Sequence, residues 1–272
     1  MAKKNIIGKF EDITALHEYL SSAKSNKHFE GEESSLFGGH EFCGSNDMPQ
    51  AHGWLVNGYN DIAVPMQQAI RAAEAAGETG AYTTRRRQVS SVAGNRVNVA
   101  KFLAGNPVCM ARTIRAKVPA PVVTIVYNSG ATSSYSADEI FDAAVKMLLA
   151  AIKIEKQGVR VNLYAATISE SHEQYGGIIL RVKSADQPLN VLKTAYPLCH
   201  PSMLRRHKFR YIETHPDTPL HWRNGYGSSV QRSGLVEALK QEGIKYDAAL
   251  TFYDVHGGGV KVDDIVNKIL KK

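Results

Sequence analysis

The chain is expected to fold as an α/β protein with a mainly parallel sheet flanked by helices. Two observations carry this. Short β-branched and aromatic runs alternate with amphipathic stretches from residue 122 to the end, and the run VVTIVYN passes directly into a small polar loop, NSGATSSYS. Strands alternating with helices of this length favour a parallel sheet covered on both faces. A buried parallel strand ends in such a loop where it delivers a binding site at its carboxyl end.

Residues 10–24, FEDITALHEYLSSAK, place Phe10, Ile13, Leu16 and Leu20 at helical spacing, which predicts a short helix. Residues 25–54 are rich in Gly, Ser, Asn and charge and read as an irregular loop region, long enough to suggest an interaction arm. A second helix is expected over residues 60–76, with Gly77 closing it. Val89, Val92, Val97 and Val99 suggest extended chain turning at Ala93, Gly94 and Asn95, and residues 99–104 a short helix stopped by Gly105. Pro119 and Pro121 mark a boundary before a strand at residues 122–127.

A long helix follows over residues 137–157, opened by Ser136 with Glu139 three positions on, the pattern of a capping box. VRVNLYAATI and YGGIILRVKSA are expected as strands joined by a short loop, hence antiparallel to each other. Helices are then expected at residues 189–198, 202–209, 229–241 and 262–270, with a strand at 248–253. The division expected is an N-terminal helical and irregular extension, residues 1–82, and an α/β domain, residues 83–272, whose lead-in is 83–121.

The composition, 43% hydrophobic and 22% charged, is that of a globular protein, and no apolar run is long enough to cross a bilayer. The start, MAKKNIIGKFEDI, lacks an apolar core, so no secretory signal is expected and the cytoplasm is the expected compartment. Cys43, Cys109 and Cys199 are too far apart for a CxxC motif and are expected as free thiols. The formal charge of +7 favours acidic partners, nucleic acid above all.

Three catalytic motifs are incomplete. His256-Gly257-Gly258-Gly259 has the look of an esterase oxyanion loop, without any GxSxG elsewhere. Residues 39–45 have P-loop glycine spacing, but Ser45 stands where the lysine belongs. Gly225-Tyr226-Gly227 has no third glycine and no strand directly before it. His200 and His207 could share a helix face for metal only if one helix ran through Pro201. Two basic clusters are the nucleic-acid candidates: Arg85, Arg86 and Arg87, and Arg205, Arg206, Lys208 and Arg210. Guanidinium forks suit phosphate oxygens, and Tyr82, Phe209, Tyr211 and Trp222 are close in sequence for stacking.

The strand ending in NSGATSS, its capped helix, GVRVNLYAATI and the later strand ending LTFYD together resemble the von Willebrand factor A fold. The resemblance implies a Mg²⁺-type site built from a DxSxS loop, a Thr and a last Asp. Carried over, Asn128 stands for the first Asp, Gly130 for the first Ser, Thr132 for the second, Ser228 or Ser229 for the Thr and Asp254 for the last Asp. With one carboxylate left, a metal-free loop is expected and no cofactor, Mg²⁺ being the ion the pattern would take. VAGNRVNVAKFLAGNPVCM and HPSMLRR are similar to segments of an uncharacterised family carried mainly by phages and prophages, a similarity spanning about residues 83–272. The second resemblance implies a phage or prophage origin, in the host cytoplasm or the virion, and brings no activity with it. The loss of metal-ligand chemistry without a catalytic constellation in its place leads to the expectation of a non-enzymatic protein that binds macromolecules and self-associates. The alternatives are nucleic-acid binding through the two basic clusters and a metal-assisted hydrolase using Asp254, Asn128 and nearby histidines.

Overall fold

A computed structural model describes residues 5–77, 86–115, 121–132, 134–172, 174–224, 226, 228–257 and 259–270. Arg85, Tyr82, Pro119, Gly225, Gly227 and Gly258, all singled out in the sequence, lie outside the described residues. The chain opens with strand β1 (Ile6–Phe10) and helix α1 (Ile13–Ser22), whose cap Asp12 accepts from the Ala15 amide. Residues 6–9 therefore belong to a strand no pattern announced, and the helix expected from Phe10 starts three residues later. The stretch expected as one long loop contains α2 (Ser34–Phe37), α3 (His40–Cys43) and most of α4 (Met48–Asn57); α5 (Asn60–Ala75) follows as predicted.

Next come β2 (Arg86–Ser91), β3 (Arg96–Val97), α6 (Val99–Leu103) and β4 (Met110–Arg115), in a three-stranded antiparallel sheet of order β2-β4-β3. Strand β5 (Val122–Asn128) leads to α7 (Ala137–Lys156), and the Ser136–Glu139 capping box is formed in both directions. Then follow β6 (Arg160–Ser171), β7 (Gln174–Lys183) and α8 (Val191–Cys199), then a π-helical turn (Met203–Lys208) continuing into α9 (Phe209–Thr214). A 3-10 turn (Leu220–Asn224), the two-residue β8 (Ser228–Ser229), α10 (Arg232–Gln241), β9 (Ala248–Thr251), α11 (Phe252–Val255) and α12 (Val262–Leu270) complete the fold. The helix expected from Ser229 starts at Arg232 because Ser228 and Ser229 pair with β6. β9 ends at Thr251, earlier than expected, where Thr251 becomes the N-cap of α11 and its amide and hydroxyl donate to the Asp254 carboxylate.

The main sheet runs β1-β7-β6-β5-β9, with β8 added beside β6. Pairs β5–β6, β5–β9 and β1–β7 are parallel, and β6–β7 is the antiparallel hairpin the short loop predicted. Alternate residues of β5 and β6 face opposite sides. Ile125, Tyr127, Leu163 and Ala165 pack under α5, α7 and α12, while Val126, Tyr164, Ala166 and Ile168 meet Leu235, Ala238 and Leu239 of α10. A third cluster joins Ile6, Leu16 and Leu55 to Ile178, Leu180 and Tyr196. Residues 6–75 thus contribute β1 to the main sheet and helices to its core, and among the described residues the β2–β4 segment forms a second sheet.

The glycine pair in YGGII answers to two close approaches. A Cβ on Gly177, at φ +151°, would lie 2.0 Å from the Thr167 carbonyl oxygen of β6, and one on Gly176 would lie 2.8 Å from the Trp222 ring. Among the described residues no helix is long and apolar enough to cross a membrane.

Candidate functional site

The loop after β5 is placed at the carboxyl end of the parallel strands, where α/β sheets bind ligands. Its proposed ion ligands are otherwise engaged. Asn128 is fully buried and clasps β6: its amide donates to the Ile168 carbonyl at 3.3 Å and its Oδ1 accepts from the Ile168 amide at 2.9 Å. That two-way bond needs an amide; a carboxylate has no proton to give. The Thr132 hydroxyl meets Ser134 at 2.7 Å, and Ser229 Oγ donates to the Gly130 carbonyl. Asp254 accepts from the Thr251 amide and hydroxyl at 2.9 and 3.0 Å and pairs with Lys268 at 3.5 Å. These four residues do not fit a Mg²⁺ site: one carboxylate is present, and it caps a helix. Among the described residues no group of three or more His, Cys, Asp or Glu is placed to hold a metal ion.

Beside this loop lies a cleft of about 240 Å³ lined by Gly130, Tyr135, Ile140, Pro201 and Leu204, with Glu41 and Arg205 also on its wall. The hydroxyl of Thr167, buried in the same wall, has no hydrogen-bond partner. Cys199, also on the wall, is no nucleophile, since burial pushes its thiol up to about 12.

In the second basic cluster Arg206 and Lys208 are buried, and Arg205 and Arg210 are half-buried. Arg206 spends its fork on the chain's own irregular segment. It donates to the Ser45 hydroxyl at 3.1 Å and to the carbonyls of Ser35, Gly38 and Ser45 at 2.7, 2.8 and 2.8 Å. Lys208 donates to the Ser169 hydroxyl inside the fold, and desolvation lowers its amine to about 7. Arg210 holds Ser25 Oγ at 2.8 Å and the Ala23 carbonyl at 2.7 Å. Arg205 stays near the surface over the Phe42 ring, 4.5 Å from its centroid, and donates to the Phe42 carbonyl.

His200 caps the end of α8 in extended conformation and His207 lies in the π-helical turn, so no one helix runs through both, yet both meet the Tyr196 ring, at 4.8 and 5.8 Å between centroids. Desolvation depresses His52 and His200 to about 4 and His207 to about 3, so all three are neutral packing groups near pH 7. Glu213, which no motif marked, is buried and accepts from the Ser35 amide at 3.0 Å and from the Ser35 and Tyr226 hydroxyls. The partners of Arg206, and Ser35 as a partner of Glu213, lie some 160–180 residues away in sequence, so no local pattern could reveal them.

The first basic cluster lies elsewhere. Residues 86–115 form an arm carrying Arg86, Arg87, Arg96, Lys101, Arg112 and Arg115 and no Asp or Glu. The strands β2 and β4 pair in antiparallel register from Arg86 opposite Arg115 to Ser91 opposite Met110. No residue from 88 to 112 is buried, and Val92, Val99, Phe102 and Leu103 are 64–79% exposed. Scattered apolar residues are ordinary on a surface; a small sheet exposing this many with no core of its own is not.

The fold is thus a mixed α/β protein with a mainly parallel sheet of five strands flanked by helices, bearing an uncovered basic arm. The chain belongs to the family described as a domain of unknown function (DUF7192), whose model matches residues 2–272. That match takes in the N-terminal strand and helices together with the sheet they complete. No curated protein and no solved structure matches the chain.

Proposed function

We propose that the protein is a non-enzymatic binding and assembly protein that self-associates through the arm at residues 86–115. The observation that carries this is the arm's combination of exposed Val92, Val99, Phe102 and Leu103 with six cations and no buried residue between 88 and 112. Apolar surface of that kind gains free energy when covered, at ~25 cal/mol per Å² removed from water. The helix-capping and strand-clasping roles of Asp254 and Asn128 favour binding over metal-assisted hydrolysis. The open sheet with a polar loop at the end of β5 supports the von Willebrand A-like description. A phage or prophage source, and action in the host cytoplasm, rest on the resemblance of residues 94–110 and 200–206.

Light scattering of the full chain over a range of concentrations tests the reading. The expected result is an average mass that rises with concentration, and that falls to the monomer for the variant Val99→Ser, Phe102→Ser, Leu103→Ser. A monomeric full chain at every concentration contradicts it.

A second reading, nucleic-acid binding, is favoured by the absence of any carboxylate among the arm's six cations. It requires affinity that falls steeply with salt and is lost in Arg96→Glu, Arg112→Glu. Affinity indifferent to salt removes it.

A further inference from the structure

The arm has a chemical counterpart on the body of the same chain. Between residues 28 and 70 the sequence has no Lys or Arg, but six carboxylates: Glu30, Glu32, Glu33, Asp47, Asp61 and Glu41. Within residues 30–47, Glu30, Glu32, Glu41 and Asp47 are exposed together with Leu36, Phe37 and Phe42, Phe37 being 71% exposed. Arg205 is a cation beside this patch, lying over the Phe42 ring. The patch is thus acidic and apolar where the arm is basic and apolar.

The strand-end cleft adjoins it, because Glu41 and Arg205 line the cleft wall. At about 240 Å³ the cleft is below the ~300–1,000 Å³ usual for small-molecule sites. Its Tyr135, Ile140, Pro201 and Leu204 walls suit an apolar side chain. Arm-to-arm pairing, by contrast, would bring twelve cations together with no carboxylate between them, six from each copy.

Resting on the reading above, we propose that the arm of one copy docks onto residues 30–47 of a second copy. The Val99, Phe102 and Leu103 tip packs against Phe37 and Phe42 and enters the cleft, and Arg96, Lys101 and Arg112 face Glu30 and Glu41. The two surfaces are different, so the contact is head-to-tail, and it builds rings or open chains according to whether the rotation closes.

Sedimentation velocity on two variants, alone and mixed, tests this. The arm variant is Val99→Ser, Phe102→Ser, Leu103→Ser; the patch variant is Phe37→Ser, Glu30→Lys, Glu41→Lys. Each alone is expected to be monomeric, and an equimolar mixture to stop at a heterodimer, since it has one working arm and one working patch. A patch variant that assembles like the full chain overturns the docking site while leaving arm-mediated assembly intact. A full chain monomeric throughout overturns both, and so does one that is monomeric but co-sediments with duplex DNA, which assigns the arm to nucleic acid. A charge swap guards against misfolded variants. Arg96→Glu with Arg112→Glu, combined in one chain with Glu30→Lys and Glu41→Lys, is expected to regain the assembly that either half alone loses. No recovery overturns the pairing.

Discussion

Asn128 and Arg206 occupy positions whose residue type points to a ligand and whose geometry points inward. Asn128→Asp removes the donor to the Ile168 carbonyl and puts a carboxylate in a fully buried position. The expected cost is about 2–3 kcal/mol in chemical denaturation, with no gain on adding Mg²⁺. A variant stabilised by Mg²⁺ would restore the ion-site reading. Arg206→Ala leaves the carbonyls of Ser35, Gly38 and Ser45 without their donor, at an expected cost of about 1–3 kcal/mol for each buried group left unpaired. Faster hydrogen exchange over residues 34–46 is the accompanying signature; unchanged exchange there contradicts the anchoring role.

The buried histidines set a pH dependence whose sign follows from their lowered values. His52, His200 and His207 take up protons more readily unfolded, near 6.5, than folded, near 4, 4 and 3. Their stability contribution is present above about 6.5 and is lost as pH falls from there toward 3–4. Glu213, raised by burial, opposes this with one proton. Unfolding free energies from urea titrations are expected to drop steadily between pH 6.5 and 4, at roughly 1–3 kcal/mol per pH unit. A flat profile across that window contradicts the burial of these rings.

At the scale of elements, the sequence was legible where a local pattern decides the outcome. The capping box set the start of α7, the short loop set the β6–β7 hairpin, and Gly77 and Gly105 followed helix ends. β1 was not legible, because IIGKF is five residues long and its identity as an edge strand comes from β7, some 170 residues later. Residues 25–54 looked loop-like for the same reason, their order coming from Arg206 and Glu213. The candidate site was half legible. Within the second basic cluster Arg206 and Lys208 face the interior while Arg205 stays near the surface, and a charge run alone does not distinguish the two. Two substitutions test this level. Gly177→Ala meets the Thr167 carbonyl and is expected to cost more than about 1 kcal/mol. Replacing residues 88–112 by a Gly-Ser linker removes no buried residue and is expected to change stability by less than about 1 kcal/mol. A large loss would mean that the arm supports the sheet.

For the whole molecule, charge is unevenly divided. The arm holds a net six of the chain's formal +7, and the acidic stretch lies on the body near the strand-end cleft. A chain that carries both a basic apolar arm and an acidic apolar patch is suited to meeting copies of itself. The strand-end loop forms part of the cleft wall, with Asn128 fixing the loop to β6. The most direct measurement is the average mass of the full chain by light scattering as concentration is raised at low salt. The account expects the mass to climb above the monomer and to fall back when Val99, Phe102 and Leu103 are replaced by serine. A full chain that stays monomeric across the range would contradict it.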